Sequence, residues 1–75
     1  MVALEKVLRD LYDSEINVCL SCFWDIGWTV KLGDEFNGYV AEGHFDGDNV
    51  DGVTKFLIEQ ATFCFPSSPF AKAYA

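Results

Sequence analysis

Residues 16–32 alternate apolar and other side chains with a period of two, in two runs joined by a short turn. Successive side chains of a β-strand point to opposite faces, so each run predicts a strand with one apolar face. Between the runs, D-I-G (25–27) has the length of a three-residue hairpin loop, with Gly27 able to adopt the left-handed conformation. The predicted core face of this hairpin consists of Ile16, Val18, Leu20, Cys22, Trp24, Trp28, Val30 and Leu32.

A third strand is predicted at residues 39–45, after the turn-forming stretch G-D-E-F-N-G at 33–38. Its better core set is Tyr39, Ala41, Gly43 and Phe45. The other face then carries Val40, Glu42 and His44. Gly43 indicates either a bulge or a place where a helix packs closely against the strand.

Two helices flank the predicted sheet. Leu4, Val7, Leu8 and Leu11 have helical spacing and predict a helix at residues 3–13. D-G-D-N-V-D-G (46–52) opens the second helix, with Asp46 or Asp48 expected as the N-cap. Pro66 and Pro69 end it. The segment 66–75 is predicted either to dock as a short helix or to lie against a neighbouring molecule.

The order is therefore α-β-β-β-α in a single α+β domain spanning 1–75. Both helices need an apolar surface, and one sheet face supplies it, so we expect a two-layer sandwich with both helices on one face of a three-stranded antiparallel meander. This order resembles the double-stranded-RNA-binding domain family in topology. That family binds RNA through a lysine-rich start to its second helix. The corresponding stretch here is D-G-D-N-V-D-G, so the resemblance does not imply RNA binding.

The charge balance limits the classes of partner that the chain can bind. Twelve acidic residues against five basic ones give a net charge of −7, and the basic residues are scattered singly, which argues against direct binding of nucleic acid. No apolar run is long enough to cross a membrane, and the first residues are too charged for a signal peptide. Three cysteines make no disulfide framework, so we expect a cytoplasmic protein with reduced thiols and no membrane association.

The spacing Cys19-x-x-Cys22 is typical of metal-binding and redox motifs, but both residues lie within the first predicted strand. At that spacing their side chains point to opposite faces and cannot share a zinc ion or a disulfide. We therefore predict that Cys22 and Cys64 are core residues and that the chain holds no metal or cofactor. The acidic stretch from Asp46 to Asp51 does not match the calcium-loop pattern either.

The remaining candidates are binding residues. Glu42 and the one histidine, His44, share a strand face with Ser21, which is a weak arrangement for general-base catalysis and does not predict an enzyme. The two tryptophans flank the first hairpin, and tryptophan is enriched at interface hot spots. The predicted interface or pocket residues are Phe23, Trp24, Trp28, Val40 and His44.

The chain is 51% hydrophobic and 16% aromatic, which indicates apolar surface left over for self-association. We therefore predict a small acidic, non-catalytic accessory or interaction protein that forms a homodimer and binds an unidentified protein partner. Two alternatives stay open. One is a small-ligand-binding domain with a pocket between helices and sheet near Trp24 and Trp28. The other is an acidic mimic of nucleic acid.

Overall fold

The structure, a computed structural model, describes residues 2–74. It confirms the α+β class, the α-β-β-β-α order and an open antiparallel sheet with strand order β1-β2-β3. A third, short helix follows the second one. The elements are α1 (Leu4–Asp13), β1 (Val18–Phe23), β2 (Gly27–Asp34), β3 (Gly38–Phe45), α2 (Val50–Cys64) and α3 (Pro69–Tyr74).

The first hairpin turns one residue earlier than predicted. Phe23 pairs with Gly27, and the loop between them is Trp24, Asp25 and Ile26. The N–H of Ile26 donates to the carbonyl of Phe23 at 3.1 Å, and Gly27 has a φ of 103°, the left-handed conformation that its lack of a Cβ permits. The assignment of Trp24 to the core face was wrong, because the residue lies in the turn, beyond the strand.

A β-bulge interrupts the pairing of β2 with β3. Leu32 pairs with Ala41 but Gly33 pairs with Tyr39, so Val40 is an additional residue on β3. An additional residue reverses the alternation of faces beyond it. Tyr39 consequently lies under the Lys31 ammonium, 5.1 Å from its ring centroid, on the side of the sheet away from the helices.

The face predicted for Val40 was therefore wrong, as was that of Tyr39. Val40 lines a hollow on the helix side of the sheet together with Ile16 and Phe65. Ile16 belongs to the buried core and Phe65 caps the end of α2. The bulge has exchanged the faces of two neighbouring residues at the end of β3.

The turn after β2 is organised by one carboxylate. Asp34 accepts hydrogen bonds from the backbone N–H groups of Phe36 and Asn37, each at 2.8 Å, and from the Asn17 amide at 2.7 Å. These donors favour the charged form. The Asn37 backbone N–H, then the Asn17 side chain, lower the pKa of Asp34 to about 2.

Helix α2 is the centre of the helical layer, since it packs against β2, β3, α1 and α3. Gly43 allows its close approach, because a Cβ there would lie 2.9 Å from Phe56 Cε2. Phe56 in turn packs edge-to-face on Phe45, with ring centroids 5.6 Å apart. The fully buried residues of the core are Val7, Leu11, Val30, Leu32, Val53, Leu57 and Ala61, joined by Phe70.

Residues of the predicted tail form α3 and pack on the body of the protein. Phe70 is 1% exposed and stacks on Tyr74, with ring centroids 4.3 Å apart. The Tyr74 hydroxyl donates a hydrogen bond to the Asp10 carboxylate of α1. Burial, then the Asp10 carboxylate, raises the pKa of Tyr74 to about 12. Residue 75, the end of the predicted segment, lies outside the described residues.

The prediction that two cysteines are core residues was wrong for Cys22, which is exposed, whereas Cys64 is half-buried near the end of α2. Cys22 does lie on the helix side of the sheet, because it pairs with Trp28. Helix α2 covers β2 and β3, however, and the outer end of β1 extends past it. A core-facing position at this edge is therefore open to solvent.

Candidate functional site

The first hairpin ends in a cluster of exposed apolar side chains, which we call the hairpin-tip patch. It consists of Phe23, Trp24 and Ile26, which are 58%, 97% and 67% exposed. A soluble chain seldom places large apolar residues side by side in a turn. Their grouping in one turn makes the hairpin tip the leading candidate for a binding surface.

Two contacts hold the hairpin tip in place beneath the patch. Trp28, the second residue of β2, is half-buried, and its indole Nε1–H donates to the carbonyl of Gly47 at 2.9 Å. Gly27 lies so close to the end of β3 and the loop after it that a Cβ there would approach the carbonyl oxygen of Phe45 to 2.4 Å and the backbone nitrogen of Gly47 to 3.3 Å. The turn is therefore held against the β3–α2 loop, and the patch is presented with little conformational freedom to lose on binding.

Two aspartates, Asp25 and Asp46, place negative charge at the patch. Asp25 lies inside the turn, and Asp46 lines an open depression together with Ile26 and His44. Helix α2 carries Asp51 in its first turn. The helix N-cap is Asn49, whose side chain accepts from the Gly52 N–H at 3.0 Å. The expectation of an aspartate N-cap was thus wrong, and Asp46 keeps its carboxylate exposed beside the patch.

The face of the sheet away from the helices, which we call the open sheet face, carries a hydrogen-bonded row. Thr29 Oγ1 lies 3.3 Å from His44 Nδ1, and His44 Nε2 lies 2.9 Å from Glu42 Oε2. The sequence had grouped Glu42 and His44 with Ser21. The third member is instead Thr29, because it is the cross-strand partner of His44.

This row has the atoms of a hydroxyl–imidazole–carboxylate relay. It lies on a flat surface, however, and the His44 and Glu42 side chains are 65% and 47% exposed. Water competes for each of these hydrogen bonds, and cross-strand pairing alone accounts for the row. The two contacts hold the His44 ring in place beside Ile26 of the hairpin tip.

The five predicted binding residues do not form one site. Phe23 and Trp24 belong to the hairpin-tip patch, and His44 borders it on the open sheet face. Trp28 lies underneath as a support, and Val40 lies on the helix side near the other end of the sheet. Ile26 was missed, although an isoleucine inside a turn is an unusual choice that could have identified it.

The cysteines and acidic residues offer no metal site in the described chain. Cys19 and Cys22 lie on opposite faces of β1, and both are exposed. Within residues 2–74, no group of three histidine, cysteine, aspartate or glutamate side chains is arranged to hold a metal ion. The helices of the same residues include none with the length and apolarity needed to cross a membrane.

Comparisons with protein families, with curated proteins and with solved structures found no match. Any statement about function therefore stands on the geometry of the hairpin-tip patch and its surroundings.

Proposed function

We propose that this chain is a non-catalytic interaction protein that acts as a homodimer and binds a protein partner through the hairpin-tip patch. The observation that carries the proposal is the 97% exposure of Trp24, next to the exposed side chains of Phe23 and Ile26. An aromatic side chain buries about 150–250 Å², which at about 25 cal/mol per Å² amounts to roughly 4–6 kcal/mol before the costs of association. A single residue of this kind supports a binding hot spot.

The charge around the patch defines the chemistry of the partner. With Asp25 in the turn and Asp46 beside Ile26, the favoured partner has an apolar pocket with lysine or arginine at its rim. The net charge of −7 also attracts a basic partner at long range and so raises the rate of association. Association should slow as the salt concentration rises, and Asp25→Asn should slow it at low salt without loosening the apolar contact.

The test compares two exposed aromatic residues. The immobilised chain is used to retain proteins from a cell extract, and each retained protein is purified and titrated by calorimetry against wild type, Trp24→Ser and Phe63→Ser. Phe63 lies on α2 and is 81% exposed, so it is a matched control away from the hairpin tip. We expect Trp24→Ser to weaken binding about 30-fold or more, as at other hot spots, and Phe63→Ser to leave it unchanged. Equal effects of the two variants would contradict the proposal.

A cytoplasmic location belongs to the same proposal, because the three cysteines are free thiols.

The two alternatives from the sequence stay predictions. A small ligand in a pocket near Trp24 and Trp28 should change the tryptophan fluorescence, measured across a metabolite panel with Trp24→Phe as the control. Mimicry of nucleic acid predicts binding to a cationic DNA-binding protein that DNA competes away.

A further inference from the structure

The two edges of the sheet differ in their protection. Edge strands expose unpaired backbone groups, and proteins usually guard them with charge, proline or a bulge. The edge strand β3 has both a bulge at Val40 and a charged residue, Glu42. The edge strand β1, V-C-L-S-C-F, has no charge, no proline and no bulge in its pairing with β2.

The hydrogen bonds of the first hairpin establish which groups of β1 face outward. The carbonyl of Asn17 accepts from the Gly33 N–H at 2.7 Å, and the carbonyl of Phe23 accepts from Ile26. Because backbone groups alternate in direction along a strand, the odd-numbered residues of β1 bond toward β2. The N–H and C=O groups of Val18, Leu20 and Cys22 therefore point away from the sheet.

We propose that a second copy of this chain docks on β1 in antiparallel orientation and joins the two sheets into one. The two-fold axis passes Leu20, so that Leu20 pairs with Leu20 of the second copy and Val18 pairs with its Cys22. In this register every outward-facing residue of β1 meets an outward-facing residue, and each pair exchanges both of its backbone hydrogen bonds. Open-face side chains remain on one side and helices on the other.

A second copy fits this edge better than an unrelated strand. The register is isologous, since the same residues serve both chains. Each copy carries a net charge of −7, which opposes contact through the acidic surfaces, while β1 is uncharged from end to end. The helix side of β1 also has space, because Leu20 is half-buried and Cys22 is exposed. Pairing would cover both.

This inference deepens the homodimer part of the proposed function. It leaves Trp24 and Ile26 of the hairpin-tip patch, which lie beyond β1, available for the partner protein. The two can fail separately. A variant that lacks the β1 contact should still bind the partner through Trp24, and Trp24→Ser should still form the dimer.

The first test is sedimentation equilibrium under reducing conditions, with Leu20→Pro as the variant. Proline removes the outward N–H of Leu20 and leaves the hydrogen bonds to β2 in place. Glu42→Pro is the matched control, since by the same alternation its N–H points outward from the other edge strand. We expect a wild-type dimer, a dissociation constant at least about tenfold higher for Leu20→Pro, and an unchanged one for Glu42→Pro.

The second test checks the register and does not depend on a proline in the strand. In a Cys22→Ser background, Ser21→Cys places a thiol opposite Cys19 of the second copy. That pair should have Cα atoms about 4.5 Å apart, within disulfide reach. Oxidised glutathione, which is itself reduced, should link the two positions into a covalent dimer, identified by peptide mass. Glu42→Cys in the same background is the control, with equal thiol content on the other edge.

The proposal stands if the Ser21→Cys chain forms the covalent dimer and the control does not. It is overturned if the wild-type chain stays monomeric up to about 1 mM. It is equally overturned if the dimer tolerates Leu20→Pro in a folded variant, or if the Glu42→Cys control cross-links as fast as Ser21→Cys.

Discussion

Three glycines provide a test of how closely the first hairpin approaches the β3–α2 loop. Gly27 has a φ of 103°, and a Cβ there would approach the Phe45 carbonyl oxygen to 2.4 Å. Gly38 has a similar φ of 94° but open space around it, and Gly47 has open space without a positive φ. Replacement by alanine therefore adds strain and a close contact at Gly27, strain alone at Gly38, and neither at Gly47.

The magnitudes separate the three variants. A left-handed φ costs a residue with a Cβ about 1–2 kcal/mol. Forcing extra atoms into packed structure costs about 1–3 kcal/mol more. We expect Gly27→Ala to lose about 2–5 kcal/mol of unfolding free energy, Gly38→Ala about 1–2 kcal/mol, and Gly47→Ala to stay within about 0.5 kcal/mol of wild type.

Urea unfolding followed by circular dichroism measures these differences. Stability falls by about 1 kcal/mol per molar urea in the smallest proteins, so the gap of about 1–3 kcal/mol between Gly27→Ala and Gly38→Ala should separate their midpoints by about 1–3 M. If the two variants unfold at the same midpoint, the hairpin is not packed against the β3–α2 loop. The hairpin-tip patch would then lack the support on which its pre-organisation rests.

Three further predictions concern stability, all measured by urea unfolding. Asp34→Ala should be destabilising at pH 7 and lose its effect as the pH falls from about 4 toward 2, because the folded pKa of about 2 lies below the unfolded value of 3.8. The stability of wild type should fall as the pH rises from 10 to 12, because the folded pKa of Tyr74 is raised to about 12, and Tyr74→Phe should reduce that fall. Phe70→Ala should cost about 3–5 kcal/mol and the exposed control Phe63→Ala less than about 0.5 kcal/mol, and equal costs would mean that α3 is not docked.

The element order and most of the core followed from the sequence because hydrophobic periodicity is a local signal. A hairpin loop at 25–27, as predicted, would pair Trp24 with Trp28, whereas Cys22 is the actual partner of Trp28. This shift moves the pairing by an even number of positions, so the same residues keep the same faces. Val30 and Leu32 were therefore correctly assigned to the core although the turn was misplaced.

The exposure of individual residues at the edge did not follow from the sequence. Trp24 and Cys22 are as apolar as their buried neighbours, and the alternation treats all of them alike. What separates Cys22 from the buried residues is how far α2 extends over the sheet, which depends on packing between elements distant in the chain. Trp24 is exposed because it lies in the turn beyond the end of β1. As a result, Trp24 and Cys22 are both exposed to solvent, although the alternation predicted that both are buried.

The bulge had the opposite consequence, because it changes the pairing by an odd number. Across Leu32 and Gly33 the partner moves from Ala41 to Tyr39, so that Val40 and Tyr39 each lie on the face opposite to the predicted one. Alternation carries no information about where an additional residue is inserted, although the glycines of this turn indicate an irregular backbone. Val40 was lost as an open-face residue for this reason.

The same bulge also decides which edge of the sheet can accept another strand. A strand added to β3 would need an irregularity of its own to match the position of Val40, and it would meet the charge of Glu42. A strand added to β1 meets a regular ladder of outward groups. Because a two-fold axis maps this regular ladder onto itself, the chain supplies the complementary strand without any second sequence. In the antiparallel dimer the two hairpin tips lie at opposite ends of the paired β1 strands. The dimer would therefore present two hairpin-tip patches, and a partner with two basic-rimmed pockets would bind it more tightly than a partner with one.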